Sequence, residues 1–241
     1  MIYRQVVTWL MFFLAFNCKA LLADSAAVAT TRTSGALEFH VLADNVTCNP
    51  ADLKAMETRL EQGGTGPLPQ PGDTIRWAEV DRPEGFDIPG SPPVTHELNG
   101  KHYLPILITP DASMTKSSAE PWAAKDAHAQ MMQDGSYAIA FVLDDKGREL
   151  FASLTTRWYN RARQRFDLLD PHVRLAIVVD DKIISAPNIN SPITGGSGII
   201  EGSSRGFAPG DLNYLIHTLN ADSPSPATVP SGAASPGNPG N

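Results

Sequence analysis

Gly202-Ser203-Ser204-Arg205-Gly206 fits G-x-S-x-G, the pattern that exposes a nucleophilic serine on a sharp strand-to-helix turn. That chemistry needs an acid and then a histidine later in the chain, both folded back onto the serine. Here Pro209-Gly210 delays the next helix, and the one downstream histidine, His217, falls on that helix itself. The expected role is a turn before the last helix; a serine hydrolase using Ser204 is the alternative reading. Ile193-Thr194-Gly195-Gly196-Ser197-Gly198 could cradle a phosphate on backbone N–H groups. It lacks the lysine and the glycine spacing of phosphate loops, so a tight turn between strands is expected. The six histidines are scattered, and His96 and His102, the nearest pair, have no cysteine or carboxylate spaced as a metal set requires. No catalytic residue, metal or cofactor is expected.

Two further clusters bear on binding. Asp180-Asp181 separates two apolar runs, and short aspartate side chains suit a hairpin tip because they tolerate left-handed backbone. Arg157, Arg161, Arg163 and Arg165 stand beside Trp158, Tyr159 and Phe166. Four arginines so close together are the composition of a solvated helix face. Their functional reading is a docking patch for acidic segments of a partner or for anionic lipid head groups, through bidentate bonds and stacking.

These residues must be carried by a real core. The chain has 241 residues, 42% of them hydrophobic, enough for one or two domains. A net charge of −7 without a basic stripe argues against nucleic acid as a partner. At the N-terminus Arg4 precedes the apolar run Val6 to Phe16, and Ala27-Val28-Ala29 offers a small-residue exit. Residues 1–29 are therefore expected to be a signal peptide, or an anchor through residues 6–16, and the protein to be exported to the periplasm or cell envelope. Beyond that segment Cys48 is the remaining cysteine, expected to be buried.

Alternation predicts strands over 37–44, 75–81, 101–109, 136–143, 175–179 and 182–185, with a short one over 198–201. Pro105 inside the third implies an edge or a bulge. Helical spacing places Leu53, Met56 and Leu60 on one helix, Leu150, Phe151 and Leu154 on another, and Leu212, Leu215, Ile216 and Leu219 on a third. Residues 121–132, opened by Pro121 and closed by Gly135, are expected to form a helix. The Pro- and Gly-rich stretch 81–94 reads as a loop. The fold class is α+β, mainly antiparallel sheets with helices packed on one face, including ferredoxin-like pieces. Domains are expected at 30–110 and 111–220, and the Pro/Ser/Gly tail 221–241 should stay disordered.

With these elements in place, AIAFVLDDKGRELFASLT, RLAIVVDDKIISAPNINSPITGGSGIIEG and the Leu-rich helix read as one unit. Asp144, Gly147, Phe151, Leu154, Thr155, Leu175, Ala176, Ile177, Asp180, Ser185, Ala186, Pro187, Ile193, Gly195 and Gly196 stand in the order seen in SecD. The stretch closely resembles the head subdomain of the first periplasmic domain of that bacterial Sec translocase subunit. Region 37–109 resembles the base of the same domain. SecD proteins continue into membrane helices that couple proton flow to protein movement; here Asn220 leads into the tail, which implies a module without that motor. The connection from Thr155 to Arg174 is longer than the family's. The resemblance implies a non-enzymatic extracytoplasmic module whose partners are secreted chains or translocase components. An N-terminal tether or peripheral membrane contact is compatible with it. The remaining alternative is a structural or regulatory extracytoplasmic module unrelated to transport.

Overall fold

The computed structural model describes residues 37–61, 69–81, 95–116, 121–165, 173–202 and 206–221. The expected signal segment, the 82–94 loop, the tail beyond 221 and Ser204 lie outside them.

Residues Leu37–Val41 (β1), Ile75–Val80 (β2), His96–Leu98 (β3), Lys101–Leu107 (β4), Ser113–Met114 (β5), Leu175–Val179 (β8) and Lys182–Ser185 (β9) make a seven-stranded sheet. Its order is β3-β4-β2-β9-β8-β1-β5. Ala124–Met131 (β6), Tyr137–Leu143 (β7) and Ser197–Ile200 (β10) make a three-stranded sheet ordered β10-β7-β6. Three helices complete the described residues: α1 (Pro50–Glu61), α2 (Asp145–Arg165) and α3 (Pro209–Ala221). Among the described residues strand pairing is antiparallel except between β2 and β9, so the α+β class holds.

The larger sheet curls until it meets itself. Leu42, one residue past β1, bridges Ile106 of β4, and the Ala43 N–H donates to Pro105 O at 2.9 Å. Strands β4, β2, β9, β8 and β1 thereby close into a small barrel. Closure turns one face of the sheet into an interior. That interior is Leu42, Ala78, Val80, Leu104, Ile106, Ala176, Val178, Ile183 and Ala186, all buried. Three of these are alanine, which suits the small volume that five strands enclose. The outer face carries Leu37, Phe39, Trp77, Leu175 and Ile177 and packs in one cluster with the apolar sides of all three helices and of the small sheet. Phe39 lies at its centre, its ring centroid 4.7 Å from that of Phe151 and 5.9 Å from those of Trp122 and Phe141.

The strands do not divide at residue 110. β8 and β9, which belong in sequence to the second region, lie between β1 and β2 of the first. Pro105 is likewise not on an edge strand, because β4 lies between β3 and β2. It is tolerated because β3 stops pairing at Tyr103. From there that side of β4 meets only the end of β1, and Pro105 has no N–H to leave unpaired.

Residues 124–131 are a strand, not the expected helix. They pair with β7 from Ala124↔Leu143 to Met131↔Tyr137 across a turn at Asp134-Gly135. Asp134 Oδ1 accepts from the Ser136 N–H at 2.9 Å, and Gly135 takes φ +82°. An Asp-Gly pair ahead of the apolar run of β7 is a hairpin signal, and it outweighs the helix propensity of Ala, Gln and Met. β3 was also unforeseen; it joins β4 through Asn99-Gly100, both at positive φ, the turn that Asn-Gly favours.

Candidate functional site

The stretch 174–187 folds as expected, β8 and β9 turning at Asp180 and Asp181, whose φ values of +50° and +65° are those of a left-handed two-residue turn. Neither aspartate is idle. Asp181 Oδ1 lies 3.4 Å from Arg76 Nη1, and Asp180 accepts a hydrogen bond from the Tyr214 hydroxyl of α3. That bond holds the Tyr214 hydroxyl above the usual tyrosine range. The tip thus ties the barrel to the last helix.

The other motif residues are joints. Asp144 caps α2: its Oδ1 accepts from the Gly147 N–H at 2.7 Å, while Oδ2 accepts from the Ala123 N–H at 3.0 Å. Thr155, 0% exposed, donates its hydroxyl to Phe151 O at 2.9 Å and accepts from the Ile193 N–H at 3.0 Å. Ile193 is thereby fastened to α2. Ser185 pairs with Ile177, Ala186 fills the barrel, and Pro187 O accepts from the Leu175 N–H at 2.9 Å. Gly195 and Gly196 form the turn into β10; Gly196 has φ +69°, and a Cβ there would stand 2.6 Å from Arg148 Cβ. No phosphate geometry is needed to explain them.

The arginine cluster is helical, since α2 continues to Arg165. Asp111, between β4 and β5, gathers three of its side chains. Trp158 Nε1 donates to Asp111 O at 2.8 Å, Arg157 Nη1 reaches the same oxygen at 3.4 Å, and Arg161 Nη1 lies 3.3 Å from Asp111 Oδ2. The Thr109 hydroxyl and the Arg161 charge together hold the Asp111 carboxyl below its usual range. Trp158 is 3% exposed and belongs to the core; the Arg161 guanidinium lies over its ring at 4.8 Å. Arg163 lies over the half-buried Tyr159, 5.7 Å from its ring centroid. The side chain of Arg165 is outside the described residues. The exposed part of the cluster is Arg157, Arg161, Arg163 and the rim of Tyr159.

The small sheet offers a different surface. β6 is its edge, and Ala127 turns both backbone groups outward, where Asn220 of α3 meets them. The Ala127 N–H donates to Asn220 Oδ1 and Asn220 Nδ2 donates to Ala127 O, both at 2.8 Å. A side-chain amide stands where a neighbouring strand would. By the alternation of the ladder, Ala129 and Met131 face their backbone groups the same way. Met131 is 67% exposed, and Val142 and Ile199 are exposed on the sheet's outer face.

A buried charged group escaped the sequence reading. Glu38, His40 and Arg76 point into one mouth of the barrel. Arg76 Nη2 lies 3.1 Å and His40 Nε2 3.0 Å from Glu38 Oε2, while His40 Nδ1 lies 2.9 Å from Leu107 O. Buried ions persist only when paired in this way. The available signal was that Glu38 and His40 alternate with the apolar residues of β1. At the other mouth, burial raises the Asp44 carboxyl above its usual range despite N–H donors from Val46 and Thr47 and the nearby Arg174 charge. Cys48 is half-buried, its thiol donating to Asp44 O at 3.2 Å.

His217 is exposed on α3. His96 packs edge-on against Trp77 near Glu57, and His102 pairs with Glu97 across the β3–β4 hairpin. Among the described residues no group of His, Cys, Asp and Glu is placed to hold a metal ion, and no helix is long and apolar enough to cross a membrane.

Residues 114–218 match the family model described as SecDF, P1 head subdomain. Protein translocase subunit SecD of Rickettsia conorii is 35% identical over 104 residues, 43% of this chain and 17% of that protein. The SecD of Leptotrichia buccalis is 35% identical over 111 residues, 46% of this chain and 24% of that protein. In Treponema pallidum SecD the identity is 40% over 80 residues, 33% of this chain and 12% of that protein. The matches thus span less than a quarter of these relatives' length. A solved structure of SecDF, a membrane component that enhances protein export, aligns with a TM-score of 0.39 at 20% identity. That alignment covers 78% of this chain and 63% of the other.

Proposed function

We propose that the chain, whose residues 114–218 match the SecDF P1 head subdomain, is a non-enzymatic binding module on the extracytoplasmic side. It serves protein translocation by contacting secreted polypeptides or Sec translocase components. Relatives named as translocase subunits support this reading. The observation that carries it is the β6 edge. Ala127 already bonds an amide through both backbone groups, and the same outward row continues at Ala129 and Met131. Main-chain pairing of this kind accepts many client sequences, because it reads backbone and not side chains. Arg157, Arg161, Arg163 and the exposed rim of Tyr159 add a second contact region on α2, suited to carboxylates.

Photo-crosslinkers at Met131 on the β6 edge and at Arg163 on α2 test this in exporting cells. Exported chains or translocase subunits should be captured there and not from Glu149, an exposed α2 control position. Equal capture from all three positions would end the reading.

A further inference from the structure

A groove of about 300 Å³ runs between β5 and α2. Buried Met114 and Leu154 form its floor, half-buried Ile108 and Leu150 its sides, and Ser113 and Ser153 its polar rim. Arg157 stands exposed at one end. Its two hydrogen bonds, to Asp111 O at 3.4 Å and to Ser153 Oγ at 3.5 Å, are at the outer limit of such contacts. The neighbouring charges are already matched: Arg161 faces the Asp111 carboxylate and Arg163 lies on Tyr159. Among the described residues no carboxylate pairs with Arg157.

We propose that this groove docks an extended acidic polypeptide segment, one carboxylate on the Arg157 guanidinium and an adjacent apolar side chain over Met114 and Leu154. This rests on the reading of the chain as a polypeptide-binding module. An arginine presents a planar fork of donors that a carboxylate satisfies two at a time. A guanidinium held only by two long bonds to uncharged oxygens can turn to make that pair. The volume suits side chains rather than a whole folded partner, and an apolar floor beside one cation selects an apolar residue next to an acid. A lipid surface would favour a broad field of unmatched cations without a walled floor, whereas Arg161 and Arg163 are already matched beside this groove.

The test is fluorescence anisotropy with the dansyl-labelled peptide Gly-Ser-Leu-Glu-Leu-Ser-Gly and its counterpart with Gln in place of Glu, on the full chain. The Glu peptide should bind about tenfold tighter than the Gln peptide, the gain of one charge-assisted bidentate pair. Arg157→Gln should erase that difference, and Ser153→Trp, which fills the groove from its exposed rim, should weaken both peptides. Circular dichroism melts of both variants, matched to the parent, confirm that the fold is kept. Equal affinity for the two peptides, or discrimination surviving Arg157→Gln, overturns the proposal. So does competition by phosphatidylglycerol vesicles that is lost in Arg157→Gln, which would assign the arginine to lipid. Peptide binding untouched by either variant removes this groove while leaving the module itself standing. Intact groove binding without crosslinks to exported chains does the reverse.

Discussion

At the end of β1 the outward backbone row meets Pro105 and Ile106 and the barrel closes; at the outer side of β6 the same kind of row meets one asparagine side chain. The described interior of the barrel is lined by apolar residues, and at one mouth His40 and Arg76 both reach Glu38. The small sheet keeps one face in the core and leaves Val142, Ile199 and Met131 in solvent. A closed sheet has no template to offer, whereas an open edge is one that must be managed. On the proposed reading, stability lies with the barrel and contact with the small sheet and the helix beside it.

The largest expected effect breaks the barrel side of that contrast. Ile106→Ala leaves a cavity where the strands close and should cost about 2–5 kcal/mol. Ile199→Ala on the open face should stay within about 0.5 kcal/mol. Urea unfolding of the two variants compares them directly. Thr155→Val orphans the Ile193 N–H and should lose about 1–3 kcal/mol, with Thr155→Ser recovering most of it. The same denaturation series reads that difference.

Asn220→Leu tests the edge itself. It uncovers both backbone groups of Ala127 at a stability cost of about 1 kcal/mol. Amide exchange at Ala127 should accelerate, and self-association should rise in sedimentation experiments. An unchanged exchange rate would show that the asparagine does not protect the edge.

The smallest effect is set by pH. Burial raises the Asp44 carboxyl in the folded state above its usual value of 3.8, so the fold prefers its protonated form. Its contribution is therefore fullest below 3.8 and is lost as pH rises through the raised folded value. Asp44→Asn keeps an acceptor for the Val46 and Thr47 N–H groups, and its stability relative to the parent should climb across that window. Asp73 behaves oppositely. Burial opposes the shift, but the Gln70 N–H and the Arg59 guanidinium outweigh it and lower the carboxyl. Stability from this group is present above 3.8 and falls as the solution is acidified through the lowered value. Thermal melts along a pH series separate the two signs.

Much of this arrangement was legible beforehand. The 174–187 hairpin, its aspartate tip and the apolar stripes of α1 and α3 follow from period and turn chemistry, which act over a few residues. β6 departs from the expected helix because Asp134-Gly135 is a hairpin turn, so Gly135 marks the end of a strand and not of a helix opened by Pro121. Barrel closure was not readable, because Leu42 meets Ile106 only after four intervening strand pairings have set the curl. Nor was the arginine surface. Its composition announced a solvated helix, yet whether Trp158 faced a partner or the core depended on Asp111, which approaches from a distant loop.

The insertion of β8 and β9 between β1 and β2 also governs how the molecule can be cut and how it can be made. A fragment limited to 114–218 would carry both strands without the neighbours that flank them, and would expose two raw sheet borders. During synthesis Val41 has no lasting place until Leu175 has emerged, so assembly is bound to the late arrival of one short ribbon. Expression trials and truncation series on this protein therefore need to begin upstream of Leu37.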